Sequence, residues 1–433
     1  MVKDCKIINL KNDATVQGIN SKKVLVVGEL HRDLFYRNKL FTRLATEIAH
    51  VIALNVETYY KMKKKEINVK EAADQDAGDK GNGDHKSESE SYSQNMEELE
   101  EELRKKILKT IDLTDKKYSG TAYLKRGGNG NNSAELLAKI GVNTGLLTVI
   151  GEDSEWMVDE IKKNGINTST IFKKKVTTPI STIVEDPNIT KIFLADNLKK
   201  EMNFSNIDLP DNLFDSTLIC FITPMDFKYK NILQMARSEN ILTAFTLELQ
   251  KIKGISDLRK CVPITADFMF CNLDDAVSVC RTEIEEPLES MEDYIKKRKQ
   301  EGEQNQKKIE WEYQVEKINR VDKILQVFAR TRLYTMGKYG AWARFSNKTI
   351  YRGIIEVPVI NRTGAGDVFA AGFIAKLASK IKDSQEFYLM SEGEKEWLYK
   401  VCLLFATAAS AVKVSTGNTP NLKQIQDLIL QNK

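Results

Sequence analysis

Short apolar runs alternate with amphipathic segments along most of this 433-residue chain, and this alternation constrains the fold more than any other feature. The runs at 24–28 (VLVVG), 145–151 (GLLTVIG) and 241–247 (ILTAFTL) have the length and the β-branched content of buried strands. The segments 40–54, 134–140, 156–164 and 321–330 are predicted to be helices. This order predicts an α/β fold with a doubly wound, mainly parallel sheet of about eight or nine strands, flanked by helices on both faces.

Two charged stretches interrupt the alternation. Residues 60–118 are polar, charged and rich in Gly and Ser, so we interpret them as a low-complexity insertion whose middle is disordered and dispensable. Residues 283–313 are also highly charged and predict a surface helix or hairpin. The predicted organisation is therefore an N-terminal extension over 1–21, followed by one α/β domain over 22–433 that carries both insertions.

The charge balance argues against several classes of function. The chain has 65 basic and 61 acidic residues, and a net charge of +4 is too small to predict binding to nucleic acid or to a membrane. The longest uncharged apolar stretch, 401–412, is too short to span a bilayer. The six cysteines form no CxxC pair and are expected to be reduced thiols in the core. We therefore expect a cytoplasmic protein.

The strongest chemical signal is residues 361–367 (NRTGAGD), a Gly-rich turn between an apolar run predicted to be a strand and an Ala-rich segment predicted to be a helix. Gly364, Ala365 and Gly366 can present N–H groups at the helix N-terminus, where the helix dipole favours a phosphate. An Asp at this place is useful if its carboxylate accepts a proton from a hydroxyl that attacks that phosphate. The pattern predicts Asp367 as a general base. An N-capping Asp in a tight turn is the alternative.

A second Gly-rich loop lies at 125–138 (KRGGNGNNSAELLA), directly before a predicted helix. Glycines such as Gly128 allow a ligand to approach the backbone closely, and Asn129 and Asn132 offer neutral donors and acceptors. That combination suits a ligand with many hydroxyl groups. The loop lacks the third glycine of a dinucleotide fingerprint, and the chain has no Walker A sequence. An Asn-capped loop without a ligand is the alternative.

Residues 31–38 (HRDLFYRN) match the catalytic-loop pattern of protein kinases, and we interpret this match as chance. That pattern requires a Gly-rich lobe before it and a DFG sequence after it, and the chain has neither. Asp33 is still a candidate ligand-binding residue because it follows the strand predicted at 24–28. Open α/β sheets bind their ligands at the carboxyl ends of their strands.

Together these segments resemble the ribokinase-like (pfkB) family of sugar kinases over nearly all of the chain outside the two insertions. NRTGAGDVFAAGF resembles the C-terminal signature of the family, and GGNGNNSA resembles its N-terminal signature. GELHRD is similar to the end of the first strand, NLDD (272–275) to the N-x-x-E motif, and TMGKYG (335–340) to the T-x-G-x-x-G nucleotide loop. Five motifs in family order predict a ribokinase-like fold with a small β lid, which often builds a dimer.

The resemblance implies an enzyme that moves the γ-phosphate of ATP to a hydroxyl, usually a primary one, of a sugar or sugar-like molecule. It implies Asp367 as the base and the N–H groups of Gly364, Ala365 and Gly366 as the anion hole. The implied substrate-binding residues are Asp33, Gly128, Asn129 and Asn132. The implied nucleotide-binding residues are Asn272, Thr335, Gly337 and Gly340. Asp275 is implied to hold hydrated Mg²⁺ together with Asn272.

The sequence departs from the family pattern at several positions. Asn361 replaces an Asp that helps to bind a monovalent cation, and Arg362 replaces a Thr, so we expect activity to respond weakly to K⁺ or Na⁺. Asp275 is one methylene shorter than the usual Glu, so its contact with the metal is expected to pass through water. His31 and Asn129 stand where related kinases often carry Asn and Lys. The identity of the substrate is therefore not inherited from any one member.

Three functions remain open at this point. The leading one is an active sugar kinase, and a nucleoside kinase of the same family is its nearest alternative. A catalytically weak protein with a binding or regulatory role is the third, favoured by the altered cation motif and by the long charged insertions. A homodimer formed through the lid is a further expectation.

Overall fold

A computed structural model describes residues 22–37, 121–185, 190–194, 202–204, 207–284 and 288–432. The N-terminal extension 1–21, a helix-like segment at 40–54 and the insertion 60–118 lie outside the described residues. The chain divides into two units. The larger consists of Met1–Arg32, Arg126–Pro179 and Ala195–Lys433, and the smaller of Asp33–Lys125 and Ile180–Leu194.

Thirteen strands and eleven α-helices occur among the described residues. The strands are β1 (Lys23–Gly28), β2 (His31–Arg37), β3 (Thr121–Gly127), β4 (Thr144–Gly151), β5 (Ile171–Lys174), β6 (Ile180–Glu185), β7 (Thr190–Leu194), β8 (Thr217–Thr223), β9 (Leu242–Leu247), β10 (Ala266–Asn272), β11 (Ala329–Thr335), β12 (Ala341–Phe345) and β13 (Lys348–Arg352). The helices are α1 (Asn129–Lys139), α2 (Glu155–Lys163), α3 (Lys230–Ser238), α4 (Ile255–Cys261), α5 (Leu273–Cys280), α6 (Met291–Gln300), α7 (Gln306–Leu325), α8 (Ala365–Ala378), α9 (Ser384–Leu389), α10 (Glu392–Thr416) and α11 (Leu422–Gln431).

The larger unit is built on a nine-stranded sheet with the order β13-β12-β11-β10-β9-β8-β1-β4-β5. Six neighbouring strand pairs are parallel, and only β12 pairs antiparallel with both of its neighbours. The chain moves outward from β1 in both directions, as in a doubly wound sheet. The predicted fold class and the number of strands are therefore confirmed.

Each central strand contributes side chains to two separate cores because side chains alternate between the faces of a sheet. In β1, Val24 and Val26 are buried in one core, whereas Leu25 and Val27 are buried in the other. The first core also contains residues of α1, α2, α8, α9, α10 and α11, and the second contains residues of α3, α4, α5 and α7. Helices thus cover both faces of the sheet, and the strands are apolar throughout for that reason.

Helices α8 and α10 form the tightest pair in the first core. A Cβ added to Gly372 of α8 would lie 3.3 Å from the Cα of Ala406 in α10, so the two backbones approach closely. Among the described helices, α10 alone has the length and apolar composition to cross a membrane, but 67% of its most apolar window is buried. That burial and its packing on α8 are those of a core helix.

The smaller unit carries a four-stranded sheet with the order β3-β2-β6-β7, in which β6 and β7 pair antiparallel. This sheet is the structural counterpart of the small β lid that the sequence predicts. Asp33 is the third residue of β2.

Two local predictions need correction. The run 354–360 (IIEVPVI), expected as a strand, forms no strand, and Pro358 within it has no N–H to donate to a neighbour. The helix expected at 321–330 is the end of α7, which stops at Leu325, and β11 already begins at Ala329. The charged stretch 283–313 contains α6, none of whose residues is buried, and the first part of α7.

Candidate active site

Several parallel strands of the larger unit end at the same edge of the sheet. Glu29 follows β1, and Glu248 follows β9. Strand β10 ends at Asn272 and β11 at Thr335, and the two residues are paired across the strands. Because ligands bind at this edge in open α/β sheets, it is where a site is expected. Asn272 and Thr335, both predicted to bind the nucleotide, lie side by side there.

The Gly-rich loop before α1 packs against the end of β1. A Cβ on Gly28 would lie 2.8 Å from the Cα of Gly130, and a Cβ on Gly128, which has a φ of 98°, would lie 2.3 Å from the carbonyl oxygen of Glu29. These glycines are therefore required for the contact of backbone with backbone. The predicted role of Gly128 in substrate binding stays a prediction, and Asn129 and Asn132 occupy the first turn of α1.

The two Gly-rich motifs meet at Asp367. Helix α8 begins after Gly364, which adopts the left-handed conformation, and Asp367 lies in its first turn. The amide Nδ2 of Asn132 donates a hydrogen bond of 3.1 Å to Oδ2 of Asp367, although the two residues are 235 positions apart. Burial raises the pKa of Asp367 to about 6, against the lowering effects of that hydrogen bond and of the positive charge of Lys413. A carboxylate is thus held at a helix N-terminus with a pKa just below neutral.

The predicted anion hole is partly committed to the turn itself. The N–H of Ala365 donates to the carbonyl of Arg362 at 3.1 Å. The bond from the N–H of Val368 to the carbonyl of Gly364 is the first of α-helical type, so the N–H of Gly366 lies in the turn that has no helical acceptor. Gly366 is exposed, with open space beside its Cα. Gly366 is therefore better placed than Ala365 to donate to a phosphate.

Glu248 belongs to the site, although no motif of the sequence predicts it. Its Oε1 accepts a hydrogen bond from Nδ2 of Asn129. Burial is the main cause that raises the pKa of Glu248 to about 8, and the negative charges of Asp367, Glu29 and Asp275 add to it. Glu248 is therefore largely protonated at neutral pH. A single Glu after an apolar run has no motif, and its position at the carboxyl end of β9 was the signal that could have found it.

Glu29, to which no motif of the sequence assigns a role, is an ion-pair centre beside the site. Its carboxylate lies 2.7 Å from Nζ of Lys251 and 3.5 Å from Nζ of Lys228. All three side chains are largely buried, so the pairs are shielded from water more than surface pairs are. They place a charged cluster at the end of β1.

The predicted magnesium motif forms the start of α5. The side chain of Asn272 caps this helix by accepting from the N–H of Asp274 at 2.8 Å. Burial raises the pKa of Asp275, and a hydrogen bond from the N–H of Leu249 opposes this effect. Among the described residues, no three acidic, His or Cys side chains gather as a metal group. One or two carboxylates suffice for Mg²⁺ that also binds phosphates and water, so Asp275 fits that role.

The predicted nucleotide loop is a closed turn. The N–H of Met336 donates to the carbonyl of Gly340 at 2.8 Å around a short 3₁₀ turn, Gly337–Tyr339. Gly337 and Gly340 have φ angles of 54° and 84°, and a Cβ on Gly340 would lie 2.2 Å from the carbonyl oxygen of Arg352. Both glycines are therefore needed to form the turn, whatever it binds.

Asn361, the candidate for a monovalent-cation site, supports the backbone before α8. Its Oδ1 accepts from the N–H of Thr363 at 2.7 Å, and its own N–H donates to the carbonyl of Val414 at 3.1 Å. Its role toward a cation stays a prediction. Asp33 is described with the smaller unit, so its predicted contact with a substrate also stays a prediction.

A comparison of the sequence with models of protein families identifies the family of this chain. Residues 108–425 match the model described as pfkB family carbohydrate kinase. The chain belongs to the pfkB family. No relative was found among curated protein sequences.

Solved structures of a ribokinase, a fructokinase and a nucleoside kinase are similar to this chain at low identity. The ribokinase of Giardia lamblia is 13% identical with a TM-score of 0.60, over 95% of this chain and 100% of its own. Fructokinase with bound ATP from Xylella fastidiosa is 13% identical with a TM-score of 0.60, over 95% and 98%. The nucleoside kinase of Methanocaldococcus jannaschii is 17% identical with a TM-score of 0.53, over 96% and 100%. At these identities the pfkB-family chain shares the fold with them.

Proposed function

We propose that this pfkB-family protein is an ATP-dependent kinase that phosphorylates a hydroxyl, in most cases a primary one, of a sugar or sugar-like small molecule. Asp367 acts as the general base. A nucleoside is the second acceptor class, and the structural likeness to a nucleoside kinase is the reason to test it. The protein works in the cytoplasm, and the four-stranded sheet of its smaller unit is the surface for a homodimer.

The observation that carries the proposal is the state of Asp367. The carboxylate lies at the N-terminus of α8, where a phosphate is also favoured, and it is half-buried. With a pKa of about 6 it is mostly ionised at neutral pH, yet basic enough to accept a proton. A structural N-cap does not need that combination, whereas a general base does.

The proposed step is a direct phosphoryl transfer. The hydroxyl oxygen of the acceptor forms a bond to the γ-phosphorus as the bond to the bridging oxygen of ADP breaks, and the hydroxyl proton passes to Asp367. Asn132 holds Oδ2 of Asp367 in place, so we propose Oδ1 as the atom that accepts the proton. The N–H of Gly366, with Gly364 and Ala365 beside it, stabilises the transferring group.

The remaining predicted residues bind the two substrates. Asp33, Gly128, Asn129 and Asn132 hold the hydroxyl groups of the acceptor. Thr335, Gly337, Gly340 and Asn272 hold ATP. Mg²⁺ that accompanies ATP would neutralise phosphate charge, and Asp275 would hold it through water, together with Asn272.

A coupled assay of ADP release tests the proposal. Pentoses, hexoses, nucleosides and sugar acids are offered separately with ATP and Mg²⁺, with and without added K⁺. We expect one acceptor class to release ADP well above the rate without acceptor, and K⁺ to change that rate little. A folded protein that binds ATP but releases no ADP with any acceptor class would instead support a binding or regulatory role.

A further inference from the structure

Helix α7 contacts both motifs of the proposed nucleotide site, and no motif of the sequence gives it a role. Its first residues belong to the charged stretch 283–313, which interrupts the regular alternation of the fold. Two side chains of α7, Glu310 and Lys317, reach across to the loops that follow β11 and β10.

Glu310 holds the loop that follows β11. Its Oε2 accepts a hydrogen bond of 2.6 Å from the hydroxyl of Tyr339 and lies 3.2 Å from Nζ of Lys338. Gln306, one turn earlier on α7, donates to the other carboxylate oxygen at 3.1 Å. The hydrogen bond from Tyr339 is the main cause that lowers the pKa of Glu310, so the group is ionised at neutral pH. A charge-assisted bond of this length is among the stronger contacts of a protein surface.

Lys317 holds the turn that follows β10. Its ammonium group pairs with Oδ1 of Asp274, between Asn272 and Asp275 in the predicted magnesium motif. The Lys317 side chain is only 10% exposed, whereas that of Asp274 is 81% exposed, so the lysine is the partner that is packed within the protein. The same ammonium group lies 5.5 Å from the ring centre of Tyr313.

The spacing of these two contacts matches the sheet beneath them. Glu310 and Lys317 are seven residues apart, which places them on the same face of the helix and about 10 Å apart along its axis. The loops that they hold follow β10 and β11, which are adjacent and parallel. One rigid helix therefore spans the two loops.

Further contacts keep α7 from moving independently of the sheet. Asp322, near its C-terminus, accepts from Arg332 at 2.9 Å and 2.8 Å and from the hydroxyl of Tyr334 at 2.8 Å, in a buried group that joins α7 to β11. Near its N-terminus, the ring of Trp311 lies 4.5 Å from that of Tyr351 in β13. The helix is thus fastened to the sheet near both ends, since Trp311 directly follows Glu310 and Asp322 lies five residues after Lys317.

We propose that Glu310 and Lys317 are positioning residues, which hold the nucleotide loop and the Asn272–Asp275 turn in a fixed relation so that ATP binds to a preformed site. The proposal rests on the function proposed above and deepens it. Loss of either contact leaves the proton-transfer residues in place and lets one loop move. Nucleotide affinity should therefore fall while the rate of the chemical step is kept.

The test compares Glu310→Gln, Tyr339→Phe, their double variant and Lys317→Gln with the parent. Glu316→Gln is the matched control, because Glu316 lies on the same helix and pairs with Arg320 of the same helix. We expect the KM for ATP to rise about fivefold in Glu310→Gln and in Lys317→Gln, as for one net hydrogen bond, with kcat and the KM for the acceptor little changed. Because both substitutions weaken the bond between Tyr339 and Glu310, the double variant should lose less than the sum of the two singles.

Calorimetric titration with ATP and Mg²⁺ measures the same affinity without an acceptor. If the parent turns over no acceptor, the proposed kinase function fails, but the titration still tests the role of α7. If Glu310→Gln and Lys317→Gln are folded by circular dichroism and bind ATP as tightly as Glu316→Gln does, the proposal is overturned. A change in kcat alone, with unchanged affinity, would overturn it as well.

Discussion

The two sides of the candidate site are held together in different ways. On the proton-transfer side, hydrogen bonds join residues from distant parts of the chain, Asn132 to Asp367 and Asn129 to Glu248. On the nucleotide side, apart from the contacts of α7 and the hydrogen bond from the N–H of Leu249 to Asp275, the bonds described above are local. Asn272 caps the helix that it begins, and the loop at 336–340 closes on itself.

This difference predicts that substitutions on the two sides affect different properties of the protein. The long-range bonds involve half-buried carboxyl groups whose pKa values are raised, so a change there should alter rate and pH dependence. The local bonds are those of ordinary caps and turns, so a change there should alter stability by the amount typical of such features. Four experiments test this difference.

The largest effect is expected from Asp367→Asn, which keeps the size of the side chain and removes its basicity. We expect kcat to fall about 10²–10⁴-fold, the usual contribution of a general base. The KM for ATP should not rise, since the variant removes a negative charge near the phosphates. Asp33→Ala serves as the comparison and should mainly raise the KM for the acceptor. Turnover of Asp367→Asn near the parent rate would remove the main support for the kinase assignment.

The pH profile should show the same group. Because Asp367 must be ionised to accept a proton and its pKa is about 6, kcat/KM for the acceptor should fall about tenfold per pH unit below 6 and level off above it. Steady-state rates from pH 5 to pH 8, with stability checked at each pH, measure this. A profile that stays flat down to pH 5 would contradict the assigned pKa.

Glu248→Gln should stabilise the protein, and increasingly so at higher pH. The folded state keeps a proton on Glu248 up to a pKa of about 8, whereas the unfolded state releases it near its ordinary value of 4.5, so folding becomes less favourable as pH rises between the two. Gln has no such cost. We expect a difference in the free energy of unfolding near zero at pH 5 and on the order of 1–3 kcal/mol at pH 8.

Denaturant unfolding at pH 5, 6.5 and 8 measures this difference. Glu239→Gln, at an exposed position beyond the end of α3, is the control for loss of charge. A variant Glu248→Gln that is less stable than the parent at pH 8 would show that the ionised carboxylate, not the protonated one, is the native form.

The smallest effect is expected from Asn272→Ala, on the local side. It removes the cap of α5 and should lower the free energy of unfolding by about 1 kcal/mol, whereas Asn272→Ser, which still caps, should lower it less. Thermal unfolding of both variants measures this. A loss of several kcal/mol in Asn272→Ala would mean that this side too depends on long-range bonds.

Some elements could be predicted from the sequence because the residues within each element determine its structure. The apolar run of β1 and the Gly-rich turn before α8 identified a strand and a helix start because each carries its own signal. The run 354–360 misled because its apolar residues resemble a strand while Pro358 opposes one, and Val359 and Ile360 are exposed. The amino-acid composition of this run did not show whether its apolar pattern or its proline determines the backbone conformation.

The sequence motifs identified several candidate site residues, but they did not predict the contacts between those residues. Asp367 and Asn132 were each singled out, but their hydrogen bond depends on how α1 and α8 pack, which no local pattern states. Glu248 is assigned to the site because it follows β9 and accepts a hydrogen bond from Asn129, which is distant in the sequence. The contacts of α7 with the two loops are of the same kind, since they arise from the path of a charged stretch that has no motif.

The backbone contact between Gly28 and Gly130 has a consequence for reading mutational scans of this protein. Any side chain at either position would lie less than 3 Å from main-chain atoms. Substitutions there should therefore impair folding and lower the amount of protein in cells, whatever their effect on catalysis. A screen that scores growth alone would count both positions as active-site residues. A parallel measurement of cellular abundance would separate them from Asp367, whose substitution by Asn should leave abundance intact and strongly lower turnover.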